Sequence, residues 1–105
     1  MSRIVNDISV TLICYDISNN KLRGKINHTL KDFGVRLQYS IYVCRLDTKD
    51  LLKCRNELEK ELKKLSHYIE STDSLFIINR LNQDKINSLI GSNEFLHDSR
   101  SFRIL

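Results

Sequence analysis

The sequence predicts an α+β domain, a sheet covered on one face by two helices, and three observations carry that reading. Apolar, β-branched runs of strand length are separated by two stripes of helical period. Helix-capping residues stand at the start of each helical stripe. The 105 residues hold no proline, three glycines and no repeat or low-complexity linker, so residues 1–105 read as one domain.

The elements follow in order. Val10 to Ile17 is rich in β-branched and aromatic residues and predicts a buried strand. Ser18, Asn19 and Asn20 supply cap chemistry for a helix carrying Leu22, Ile26, Leu30 and Phe33 on one face, with Gly34 where a C-terminal stop belongs. Leu37, Tyr39, Ile41 and Val43 alternate with Gln38, Ser40, Tyr42 and Cys44, a half-buried strand pattern with the first set as the apolar face. This strand, between residues 36 and 46, bends or breaks to supply two pairing segments. Asp47 or Thr48 caps a second helix with the stripe Leu51, Leu58, Leu62, Leu65 and Ile69, its charged residues reading as a solvated face. Leu75 to Arg80 predicts a further strand, Lys85 to Ile90 a short one, and Ser101 to Leu105 a terminal one. The nearest simple architecture is the ferredoxin-like βαββαβ sheet. Residues 81–105 then form a C-terminal extension whose last strand is free to pair with the sheet edge of a second subunit, which gives a reason to form a homodimer.

Composition narrows the class without naming a function. Asp16 interrupts the longest apolar run, so no membrane helix is expected, and Asn6, Asp7, Ser9 and Thr11 leave no signal-peptide core after Arg3. Cys14, Cys44 and Cys54 lack C-x-x-C spacing, which favours a reducing cytoplasm over a disulfide scaffold or zinc site. The net charge of +4 is carried by residues 1–46, where seven Lys and Arg face three Asp. That surface suits a polyanion, or is an ordinary solvated face.

Candidate chemistry gathers near the first strand. Asp16 sits where side chains leave the C-terminal edge of a sheet; it is either a helix cap, like Ser18, or a metal ligand. One carboxylate is a poor Mg²⁺ site, but a twofold dimer presents two. Lys21, Arg23 and Lys25 open the first helix, where a phosphate partner would explain positive side chains that the helix dipole disfavours; solvent exposure explains them equally. Tyr15, Tyr39 and Tyr42 either stack on bases or fill the core. His28, His67 and His97 are scattered, and there is no P-loop, G-x-G-x-x-G or RNA-recognition-motif signature.

Leu12-Ile13-Cys14-Tyr15-Asp16-Ile17-Ser18, then Lys21-Leu22-Arg23, then Gly34-Val35-Arg36-Leu37-Gln38-Tyr39-Ser40-Ile41-Tyr42 resembles the CRISPR-associated Cas-two family in order and spacing. The resemblance implies a ferredoxin-like homodimer whose two Asp16 carboxylates, one from each protomer, hold a divalent metal such as Mg²⁺ and form the catalytic centre. It places Tyr15, Arg23, Lys25, Arg36 and Tyr42 at positions linked to nucleic acid or activity. Lys25 stands where arginine is found in some members, losing bidentate phosphate geometry. Residues 81–105 match the pattern poorly. The resemblance further implies a prokaryotic, cytoplasmic subunit of CRISPR spacer acquisition, binding duplex DNA with the Cas-one integrase. Nuclease action on duplex DNA or single-stranded RNA is the enzymatic form of the same expectation. The alternative is a toxin-type metal-dependent endoribonuclease of related fold.

Overall fold

The structure, a computed structural model, describes residues 8–81 of the chain. Strand β1 (Ser9–Asp16) leads into helix α1 (Asn20–Leu30), followed by β2 (Gly34–Gln38), β3 (Ile41–Leu46), helix α2 (Thr48–Lys64), a 3-10 turn at Ser66–Tyr68 and β4 (Ser74–Leu81). The strands form one sheet in the order β2-β3-β1-β4, with every neighbouring pair antiparallel. This is the ferredoxin-like arrangement: β1 and β2 flank β3, so α1 crosses over one inserted strand. The short strands expected at Lys85–Ile90 and Ser101–Leu105 lie outside the described residues.

Each helix begins where a side-chain oxygen takes up an otherwise orphaned N–H. Asn19 accepts from Leu22 N at 2.9 Å, so Asn19 caps α1, and neither Asp16 nor Ser18 does. Asp47 accepts from Asp50 N at 2.7 Å to start α2, whose last turn carries Lys63 and Lys64 at the negative end of the dipole. The apolar stripes of both helices cover one face of the sheet. Leu22, Ile26 and Leu30 from α1, with Cys54 and Leu58 from α2, meet Ile13, Tyr15, Tyr42, Cys44 and Leu46 in the main core. Ile69, expected on the stripe of α2, falls beyond the helix and is exposed.

Two expectations for residues 34–44 are corrected. Helix α1 ends at Leu30 with Lys31 as its C-cap, and Gly34 instead opens β2, where a Cβ would collide with Cys44 Sγ and the Val43 carbonyl. The chain does break into two strands, at Tyr39 and Ser40, but both phases of β3 are buried, Val43 on the uncovered face and its neighbours on the helical one. Tyr42, Cys44 and Leu46 lie under the helices, while Tyr39 is 87% exposed. A bulge also breaks the alternation in β2: between the pairs Arg36↔Tyr42 and Gln38↔Ile41, β2 advances two residues and β3 only one.

The other sheet face carries no helix among the described residues. Val10 and Val43 form a small second cluster there, with Leu12 and Leu81 against it. Phe76 and Ile78 of β4 pair opposite Cys14 and Leu12 and remain largely exposed, as does Val35 of β2 opposite Val43. A second bulge, between the pairs Leu12↔Ile78 and Val10↔Leu81, contains Arg80 at φ 59°, a left-handed conformation that costs a residue with a Cβ.

Candidate nucleic-acid interface

The site grows from the C-terminal end of β1. Tyr15 and Asp16 are successive residues of a strand, so their side chains leave on opposite faces. Tyr15 goes under the helices, where its hydroxyl donates to Asn27 Oδ1 of α1 and has the Tyr39 carbonyl at 3.3 Å. Asp16 ends the strand on the phase of Val10, Leu12 and Cys14, the uncovered face, and is exposed. Beside them a depression of about 450 Å³ is lined by Tyr15, Asp16, Arg23, Asn27, Arg36 and Tyr39, among others. A backbone bond from Tyr15 N to Ser40 O at 3.0 Å holds the β2–β3 turn against this end of β1.

Arg36 and Tyr39 form the outer wall. Arg36 is exposed on edge strand β2, its guanidinium carbon 5.7 Å from the Tyr39 ring centre and 5.9 Å from that of Tyr42. The Tyr42 ring is only 1% exposed, so it supports Arg36 from below and offers no face to a ligand. Tyr15, 4% exposed, is likewise a core ring with its hydroxyl at the cleft floor. Burial pushes that hydroxyl's pKa up, and the Arg36 guanidinium beside it works against the rise. Of the three tyrosines able in principle to stack on a base, Tyr39 alone presents its ring.

The basic residues of α1 part company. Arg23 turns back into the cleft, its Nη1 donating to the Ile17 carbonyl at 2.7 Å and the Ser18 carbonyl at 3.3 Å, and its Nη2 to Asn20 Oδ1. Lys25 is exposed and does not line the depression, and Lys21 lies over the Tyr68 ring at 5.7 Å.

Two contributors escaped the sequence reading. Asn27 sits beside the apolar stripe of α1, a polar residue next to Ile26 and one turn before Leu30, which is the one sign of its inward role. Asp73 precedes β4 and accepts from Ser18 N at 3.1 Å, Ser18 Oγ at 3.2 Å and Glu70 N at 2.9 Å. Those donors hold its carboxyl below the ordinary range, the Glu70 N–H most of all.

A divalent cation asks for several oxygens. Among the described residues no group of three or more His, Cys, Asp or Glu sits together, and Asp16 is the carboxylate that lines this depression. The carboxylate is exposed and has no hydrogen-bond or ion-pair partner among the described residues, so it is free to serve as half of a donor set shared with a second copy. Nor, among the described residues, is any helix long and apolar enough to cross a membrane.

A ferredoxin-like sheet with an exposed carboxylate at the end of β1, flanked by an arginine-and-tyrosine wall, defines a small α+β protein with a candidate polyanion-binding end. The family model of CRISPR associated protein Cas2 matches residues 9–88, most of the chain, and the chain belongs to that family. A curated relative from Synechocystis sp., named a CRISPR-associated endoribonuclease, is 38% identical over 64 residues, covering 61% of this chain and 63% of the relative. One of the same description from Chloroflexus aurantiacus is 38% identical over 50 residues, covering 48% of this chain and 54% of its own. The chain thus spans between about half and two-thirds of the length of these relatives. In fold it is similar to a hypothetical protein from Thermus thermophilus (TM-score 0.61, 24% identity, 78% of this chain and 93% of the other). It is similar also to Cas2 of Streptococcus pyogenes (TM-score 0.55, 22% identity, 76% of this chain and 98% of the other).

Proposed function

We propose that this protein is a CRISPR adaptation subunit of the prokaryotic cytoplasm that forms a twofold homodimer and binds duplex DNA for spacer acquisition with the Cas-one integrase. One observation carries the reading: the uncovered sheet face is apolar and ends in Asp16. Phe76 is 59% exposed, Ile78 45% and Val35 39%, on the face shared with Leu12 and Val43. A second copy covers such a surface best, because a twofold axis matches the patch to itself. The same pairing carries two Asp16 carboxylates toward the axis.

Two carboxylates across an axis suit Mg²⁺, which when bound would polarise a phosphodiester and lower the pKa of a coordinated water. The chain's own residues then divide the work. Asp16 supplies the ligand oxygens, and Arg36 neutralises a phosphate while Tyr42 supports its guanidinium from below. Contacts of that kind read phosphate rather than sequence, as handling DNA of many sequences requires.

A second reading, a metal-dependent endoribonuclease, is favoured by Tyr39. A ring 87% exposed beside an arginine suits an unstacked base better than a duplex backbone. Labelled duplex DNA and single-stranded RNA, incubated with Mg²⁺ or EDTA, separate the two. Metal-dependent cutting of RNA that Asp16→Ala abolishes, at least a hundredfold, supports the endoribonuclease. Duplex binding by a dimer without cutting, unchanged in Asp16→Ala, supports the adaptation subunit. The toxin form of the RNA reading further requires that no integrase gene lie beside this one.

A further inference from the structure

The loop that carries Asp16 into α1 is held from two sides by side chains that do not touch the carboxylate itself. On one side Asp73 Oδ1 takes both the N–H and the Oγ–H of Ser18, while Oδ2 is fixed by the Glu70 N–H. On the other, both Nη1 contacts of Arg23 go to the carbonyls of Ile17 and Ser18, and Nη2 is turned to Asn20. Ser18 therefore has its N–H, its hydroxyl and its carbonyl all engaged, although it is exposed and belongs to no regular element. Ile17 anchors the loop in the core, while Ser18, with no packing of its own, is fixed by three polar contacts. Asp73 also lies next in sequence to Ser74, the residue paired with Asp16 across the sheet, so the clamp and the ladder end at the same place.

We propose that Arg23 and Asp73 are positioning residues that clamp residues 16–18 and thereby aim the Asp16 carboxylate, and that Arg23 is not a phosphate ligand. The Arg23 guanidinium turns its Nη1 donors to backbone carbonyls, whereas that of Arg36, although beside the Tyr15 and Tyr42 hydroxyls, remains exposed over aromatic rings. The inference rests on the reading of Asp16 as the reactive carboxylate and assigns the phosphate contact within the cleft to Arg36.

Phosphate contacts and positioning contacts leave different signatures. Losing a phosphate ligand lowers the slope of log affinity against log salt by about one, while losing a positioning residue leaves the slope unchanged. Binding of duplex DNA and of single-stranded RNA is therefore measured across salt concentrations for the wild type, Arg36→Ala, Arg23→Ala and Asp73→Ala. The expected result is a slope reduced by about one in Arg36→Ala alone. Any cleavage would show kcat at least tenfold lower in Arg23→Ala and Asp73→Ala, with KM within about twofold of wild type.

Amide exchange decides the clamp even where neither binding nor cutting is found. Arg23→Ala should speed exchange of the Ser18 N–H at least tenfold though Arg23 does not touch it, with amides of β1 and β3 unchanged to show that the fold holds. Arg23→Lys should fail to restore protection, because an ammonium cannot bridge two carbonyls and Asn20 in one plane. A slope reduced by one in Arg23→Ala would overturn the assignment of that residue. Unchanged Ser18 exchange in Arg23→Ala would overturn the clamp. A wild type that binds no nucleic acid would overturn the reading of the cleft and leave the clamp to the exchange result.

Discussion

At the scale of single residues, the site separates charge that meets solvent from charge used internally. Asp73 shows how the second kind registers as pH dependence. Its carboxyl is held below its ordinary pKa by backbone and hydroxyl donors, chiefly Glu70 N–H, so the folded state prefers it ionised. The stabilisation is complete above the ordinary carboxylate value and is lost as pH falls through the depressed one. Asp73→Asn, which cannot accept from both Glu70 and Ser18 in the same way, should lower the urea midpoint at pH 7. The gap to wild type should narrow on titration toward pH 3, and a gap that stays constant would disprove the link. None of this was legible locally, because Asp73 and Ser18 are 55 residues apart and no spacing rule joins them. Asp16, by contrast, was visible at once as the charged end of an apolar run.

Elements were legible where one pattern dominated and misleading where two coincided. The runs for β1 and β4 stood out as unbroken apolar stretches of strand length, and α1 by its single apolar face. In residues 34–46 both phases are apolar: Val35, Ile41 and Val43 serve the uncovered face, and Tyr42, Cys44 and Leu46 serve the helical one. Alternation then cannot choose a face, and the extra residue in β2 shifts the count midway. Gly34 belongs to the same packing problem. Gly34→Ala should cost about 1–3 kcal/mol in denaturant unfolding, since the added methyl meets a thiol and a strand carbonyl. The two thiols packed between sheet and α2 should be silent in the native state. Burial pushes Cys44 up to about 12 and Cys54 up to about 11, so little thiolate exists at neutral pH. A disulfide-exchange reagent should titrate them only on unfolding, and rapid native labelling of either would contradict the packing described.

For the whole molecule, the two faces of the sheet have different fates. One is closed by α1 and α2 from the same chain; the other, among the described residues, is apolar and uncovered and ends in the exposed Asp16, the face assigned above to the proposed dimer. Phe76→Asp should therefore shift sedimentation equilibrium from dimer to monomer, because burying an unpaired charge at the centre of a twofold contact counts twice. The far-UV spectrum should stay unchanged, since Phe76 contributes nothing to the helix-covered core. A wild type that sediments as a monomer would remove the basis for a shared Asp16 site. The sequence carried the whole architecture up to Leu81 but not the distinction between its faces, since an apolar residue reads alike whether its own helix or another molecule covers it.

Among the described residues strand β4 is also an outer strand of the sheet, and such a border is where chains can add to one another. Near the end of that strand Arg80 is left-handed, inside the bulge opposite β1. A bulge of this kind bends and twists its strand, so past Ile78 the backbone departs from a regular template. Replacing the kink with a residue content in extended backbone would lengthen that template. The change is expected to show as turbidity or fibrous growth rather than as lost activity, and a solution that stays clear would count against any protective part for Arg80.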